Sequence, residues 1–347
     1  PPASGALNSK PKKKSRVKQK IPIILCIDIE PDERVVSRNQ CFPWRGFESC
    51  YQFFSELRPQ LAAATGSPVH YSWFVRMDPQ VAETYGTPDW IVQQHRQWFD
   101  EFINHGDEIG LHTHAWRWDE QFEVWIADHA NQPWIEHCLQ VSFDAFYEAF
   151  GRSCLSFRFG DRWMNNPTTA LIQKLGVLYD LTLEPGHTTT PALVRDECYT
   201  GAIPDYTRVP RLPFRPTTQD FRQSDPSRTE GMRMIPLSSG FHRKRHWVFD
   251  HIPVKYLPSS HRRAVTLGLW HKPEILFPIL NHLLNIEQSP YLTLVLRSDL
   301  PIIPLANNLH RCIEHLLNHP RIQDFVFSTP AETMTHIGLR DQRGFAG

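Results

Sequence analysis

Two short pairs of side chains in this sequence could do chemistry together. His112 and His114 stand two residues apart in Glu108-Ile-Gly-Leu-His-Thr-His, and Asp28 and Glu30 stand two residues apart at the end of an apolar run. In an extended chain, residues i and i+2 share a face, so each pair can point at one centre. Imidazole nitrogen suits zinc, iron or nickel, and a carboxylate at the tip of a buried strand is costly unless it is paired or meets a cation. The spacing predicts one divalent metal, zinc first, held by His112, His114 and a carboxylate from Asp28 or Glu30. A His-x-His pair alone is a weak signal, and the second pair is what gives it weight. His271, in Trp-His-Lys-Pro-Glu after another apolar run, is a candidate proton carrier, with Glu274 as a possible fixer of its tautomer. Trp44, Trp116 and Trp118 fall beside polar motifs rather than inside hydrophobic runs, where flat rings could pack on a sugar face.

The elements that must position these groups can be read from periodicity. The run from Ile21 to Ile29 is continuously apolar, as expected of a central strand in an α/β sheet covered on both faces. Further strands are expected over 69–75, 109–111, 156–160, 177–180, 232–237, 264–269, 291–296 and 325–328, with a turn at 238–240. Helices are expected over 49–63, 87–105, 132–150, 168–175, 275–284 and 307–317. Asp180 sits at the tip of one strand. The alternation of strand and helix implies a parallel sheet, whose ligands bind at the C-terminal strand ends.

Composition narrows the function. Lysine plus arginine equals aspartate plus glutamate at 37 each, which does not suggest a nucleic-acid binder. The seven cysteines are scattered with no Cys-x-x-Cys, unlike a disulfide scaffold. No apolar run is long enough for a membrane span and no secretory signal is visible, so a cytoplasmic location is the default expectation. Residues 1–20, rich in lysine and proline, read as a disordered basic tail dispensable for folding, followed by a single catalytic domain over 21–340. The oligomeric state is not legible. No glycine-rich phosphate loop and no Gly-x-Ser-x-Gly elbow occurs.

In their order, Cys26-Ile-Asp-Ile-Glu30, Glu108-Ile-Gly-Leu-His112, Phe157-Arg-Phe-Gly160 and Trp270-His-Lys-Pro-Glu274 resemble the motifs of the polysaccharide deacetylase (NodB-homology, carbohydrate esterase family 4-like) superfamily, in particular the branch found in surface-polysaccharide and O-antigen gene clusters. The resemblance spans roughly residues 21–335. It implies an irregular (β/α)7 barrel and hydrolysis of an N-acetyl group on an amino sugar of a polysaccharide or glycan precursor. Asp28 matches the catalytic base, Arg158 the arginine that orients it, and His271 the general acid. Trp163 and Asp180 match the region after the arginine motif and join Trp44, Trp116 and Trp118 as candidate substrate contacts. Two positions depart from the family pattern. The metal-binding aspartate would fall on Ile29, leaving Glu30 or Asp28 as substitute, and the second motif histidine would fall on Trp116, with His114 in between. Another metal-dependent amidohydrolase or phosphoesterase, or a degenerate glycan-binding module of the same fold, are the competing readings.

Overall fold

The computed structural model describes residues 20–33, 38, 41–194, 197–243, 257–258, 261–299 and 302–344. The expected basic tail lies outside them, except Lys20, whose ammonium donates to Ser67 Oγ at 2.6 Å. The chain begins with β1 (Ile21–Ile29), α1 (Arg45–Thr65) and β2 (Ser72–Arg76). Next come α2 (Pro79–Tyr85), α3 (Trp90–Gln94), α4 (Arg96–Asn104) and β3 (Glu108–Thr113). A hairpin of β4 (Trp116–Asp119) and β5 (Val124–Asp128) precedes α5 (Gln132–Phe150), β6 (Ser156–Phe159), α6 (Asn166–Lys174) and β7 (Tyr179–Asp180). The second half holds β8 (Leu193–Val194), β9 (Glu197–Thr200), β10 (Arg233–Met234), β11 (Ser239–Arg243), β12 (Arg262–Thr266) and α7 (Pro273–Asn285). It closes with β13 (Leu292–Arg297), α8 (Ile302–Leu317), β14 (Phe325–Phe327) and α9 (Pro330–Gly344).

The main sheet runs β10-β7-β6-β3-β2-β1-β13, with β14 also on β1, and its ladders are parallel. It is curled like an irregular (β/α) barrel, but its ladder does not close as the expected (β/α)7 barrel would. Between β10 and β13 the described residues form no continuous ladder: Leu237 N bonds Leu183 O, Leu267 N bonds Ser238 O, and one isolated parallel bridge at Gly268–Val295 is made by Leu269 N to Val295 O and Val295 N to Leu267 O. The reason lies in β11 and β12, which pair with each other as an antiparallel hairpin instead of entering the ladder. The expected turn at 238–240 is therefore the start of a strand. Gly240 permits this, because a Cβ there would lie 2.5 Å from Ile279 of α7. The expected single helix over 87–105 is two, because His95 at φ −126°, ψ 36° leaves the helical region and stacks on Trp98 instead.

Local sequence explains the elements that carry the site. Asn131 and Asn165 accept from the amides of Trp134 and Thr168, capping α5 and α6, and a proline follows each cap. Strand parity then sorts the sheet into two layers. Ile23, Leu25, Ile27 and Ile29 of β1 face the helices, together with Trp73 and Val75, Ile109 and Leu111, Phe157 and Phe159, and Leu292, Leu294 and Leu296. Ile24 and Cys26 face the other way, into a smaller cluster with Phe74, Leu181, Ile235 and Val295. Burial on both faces is what the unbroken apolar run of β1 requires. At about 1.5–3 kcal/mol per fully buried aliphatic side chain, it makes β1 the strand least able to leave.

Candidate active site

The inner row of each strand continues past this small cluster to the C-terminal ends, where it turns polar. On β1 the row runs Ile24, Cys26, Asp28, Glu30; on β2 it runs Phe74, Arg76; on β3 it runs Gly110, His112 and then His114. Register sets Asp28 beside Arg297, Arg76 beside His112, and His112 beside Arg158. Asp28, Glu30, Arg76, His112, His114 and Arg158 are all buried. Ile29 belongs to the outer layer. Glu30, one residue on, lies on the inner face beside the two histidines.

At the centre, Glu30, His112 and His114 bring ligand atoms within 4.8 Å of one another. The two Nε2 atoms are 3.0 Å apart. Glu30 Oε1 lies 3.4 Å from His112 Nε2, and Oε2 lies 3.5 Å from His114 Nε2. A tetrahedral ion with bonds of 2.0–2.1 Å spaces its ligand atoms about 3.3 Å apart, so these separations fit one ion. Two imidazoles and a carboxylate also match the three-ligand set of catalytic zinc sites. The far side of each ring fixes its tautomer. His112 Nδ1 donates to Arg158 O at 3.1 Å, and His114 Nδ1 donates to Asp161 Oδ2 at 3.0 Å, which leaves both Nε2 lone pairs facing inward. The Trp116 indole nitrogen also lies 2.9 Å from His114 Nδ1. The carboxylate, which can only accept, decides the proton's place.

Electrostatics favour a cation here. Burial opposes ionisation of Glu30, yet Arg297, and after it the adjacent His112 and His114, hold its carboxyl well below the usual range. Burial likewise opposes charge on His114, but Asp161 outweighs it and raises the pKa above that of ordinary histidine. Carboxylates that favour a proton at this point favour any cation there. Asp161 earns its position through its backbone: Asp161 and Arg162 adopt φ of 55° and 59°, a left-handed conformation uncommon outside glycine. Gly160 before them is a packing requirement, since a Cβ would lie 2.2 Å from the His114 ring.

Asp28 stands apart from this trio. Both of its oxygens are taken by Arg158, Nε to Oδ1 at 2.8 Å and Nη2 to Oδ2 at 3.0 Å, while Arg158 Nη1 donates to Leu181 O. Burial works against the Arg158 charge, but Asp28 offsets this and raises its pKa. Such a two-pronged pair fixes the carboxylate in one orientation.

These groups line a cavity of about 440 Å³ that His271 and His187 also line. Both nitrogens of His187 are engaged. Nε2 lies 3.3 Å from Glu184 Oε2 and 3.2 Å from Thr266 Oγ1, while Nδ1 accepts from Arg162. The His271 ring makes no hydrogen bond among the described residues. Burial, then Arg263, pushes its pKa down to about 4. Glu274, expected to hold that ring, is exposed and pairs with Arg311 instead, because Pro273 starts α7 and turns the next side chain toward α8.

The expected substrate contacts are not brought to the cavity. Trp44 is buried against Tyr85 and Trp90, at ring separations of 5.8 and 6.3 Å. Trp116 is buried with Trp125, and Trp118 packs on Trp125 and bonds Glu120. Trp163 stacks on His129 at 5.1 Å. Asp180 is buried, accepts from the Thr182 amide and hydroxyl, and is pushed up to about 7 by its burial. Large rings beside polar motifs found more area to bury in the interior than at the mouth. The sequence reading missed Asp161, Glu184 and Arg263. Asp161 had a local signal, following directly on Phe-Arg-Phe-Gly; the others are placed by tertiary structure.

No protein-family model matches the chain, and no curated protein matches it. Among solved structures, the allantoinase Puue overlaps with a TM-score of 0.47 at 16% identity, over 92% of this chain and 91% of that one. The peptidoglycan deacetylase PdaC from Bacillus subtilis overlaps with a TM-score of 0.41 at 10% identity, over 94% and 96%. The Xyl-CE4 domain of a multidomain xylanase from the hindgut metagenome of Trinervitermes trinervoides gives 0.39 at 11% identity, over 92% of each chain. Overlaps of this size at identities this low fix neither the fold nor the activity.

Proposed function

We propose that this chain is a metal-dependent hydrolase that removes an N-acetyl group from an amino sugar. The observation that carries the reading is the meeting of Glu30, His112 and His114 in one cavity with the Asp28–Arg158 pair. Glu30, His112 and His114 would hold a divalent ion, zinc by its donor set, which supplies Lewis-acid polarisation of an amide carbonyl and acidification of water. Asp28 is the base. Arg158 occupies one side of each oxygen, and the remaining lone pairs can accept a proton from water. Arg158 holds Asp28 in one orientation. His271, with no hydrogen bond on its ring, is the proton donor to the leaving amine. It is neutral in the free chain near pH 7 and must gain a proton before it gives one.

The test has two stages. Elemental analysis of protein purified without a nickel column should find about one divalent ion per chain, and His112→Ala or His114→Ala should abolish it. A site that stays empty with zinc added would leave Glu30 as a member of an ion-pair network with Arg76 and Arg297, which flank it at 3.7 and 3.4 Å. Metal-loaded protein is then screened by mass spectrometry against N-acetylated sugars, nucleotide sugars and lipid-linked glycans for loss of acetyl. His271→Ala should lower turnover about 10²–10⁴-fold with metal content unchanged. Full activity in that variant would remove His271 from the mechanism.

A further inference from the structure

The acids lining the cavity are each engaged: Asp28 by Arg158, Glu30 by the two histidines and Arg297, Asp161 by His114, and Glu184 by His187 and Thr266. Arg263 also lines this cavity, is solvent-exposed, and pairs with no carboxylate among the described residues. It projects from β12 opposite His242 of β11, the two being register partners. Its neighbour Arg262 is committed elsewhere, stacked on Phe241 at 4.5 Å. The positive field of Arg263 reaches two histidines. After burial, it is the largest influence depressing both His242 and His271. A guanidinium set at the cavity wall and paired with no acid among the described residues has the fork geometry that suits a carboxylate or phosphate.

We propose that Arg263 recognises an anionic group on the substrate, so that the sugar taken into this cavity is acidic, bearing a uronate carboxylate or a phosphate. This rests on the reading of the cavity as a sugar site. In the bound state the anion sits beside Arg263 and near His271. It offsets the Arg263 charge, which after burial is what most opposes a proton on His271.

Calorimetry on the full, zinc-loaded chain tests this by binding, independently of turnover. The probes are N-acetylglucosamine, its 1-phosphate and 6-phosphate, glucose and glucuronate. Either phosphate or glucuronate should bind at least about tenfold more tightly than its neutral parent, weakening as salt rises. The preferred arm tells phosphate from carboxylate. Arg263→Gln should remove most of that preference with an unchanged melting midpoint, and Arg263→Lys should keep part of it. Neutral and charged sugars binding alike, a preference that survives Arg263→Gln, or no anion binding up to about 10 mM would each overturn the proposal. Absence of acetate release with the charge preference intact would instead overturn the hydrolase reading and leave this one standing.

Discussion

The arrangement around His114 shows how little room the site leaves. The ring sits on Gly160, is held from behind by Asp161, and faces His112 and Glu30 in front. Gly160→Ala adds one carbon at a point 2.2 Å from that ring, so the ring must move and its Nε2 with it. The expected outcome is metal binding weakened about 10–100-fold, the range seen when the support of a ligand is lost, read by competition with a chelating dye. Unchanged affinity would show that His114 is not a ligand. Asp28 offers the contrast. With both oxygens on Arg158 it is fixed without any contribution from the trio, so two carboxylates two residues apart have separate partners.

At the scale of the strand, parity decides who can take part. The inner row of β1 was legible in the sequence because i, i+2 geometry is local, and the same holds for His112 and His114 on β3. That is also why the departures from the resembled motif are tolerable. An acid at position 29 would face the helices, and Glu30 recovers the inner face. Ile29→Asp should therefore destabilise the fold by at least about 2 kcal/mol without raising metal affinity, since the new carboxylate would stand in hydrocarbon. A variant of normal stability that binds metal more tightly would contradict the row assignment. What could not be read locally were the features set by partners distant in sequence. These are the hairpin of β11 and β12 that leaves the ladder open, the break at His95, the left-handed backbone that aims Asp161, and the burial of Trp44, Trp116 and Trp163 away from the cavity.

Over the whole molecule, the buried histidines make stability depend on pH. Burial holds the pKa of both His129 and His271 down to about 4, against 6.5 for the free side chain, and burial also lowers His95, His187 and His319. The unfolded chain therefore takes up more protons than the folded one as the solution is acidified. The stability tied to His129 and His271 is fully present above about pH 6.5 and is lost as the pH falls to about 4. His114, whose pKa is raised, pulls the other way. Melting midpoints should fall steadily between pH 6.5 and 4.5, and replacing His129 and His271 by glutamine should flatten that fall. A flat profile in the parent chain would mean that these rings are charged in the fold.

The position of β1 has a further consequence for how the chain is made. It precedes the other described strands in the sequence, yet its neighbours are β2 and β14 along one edge and β13 along the other. Asp28 waits for Arg297, its register partner and a residue far along the sequence. During synthesis β1 can pair early with β2, but its other edge stays open until β13 leaves the ribosome. Contacts this distant in sequence slow folding and prolong the exposure of an apolar strand edge. The same closure completes the flank of Glu30 next to Arg297. A nascent chain stopped before β13 therefore carries both histidines and both acids but not the finished centre, so a working site reports that β13 has been made and has docked on β1.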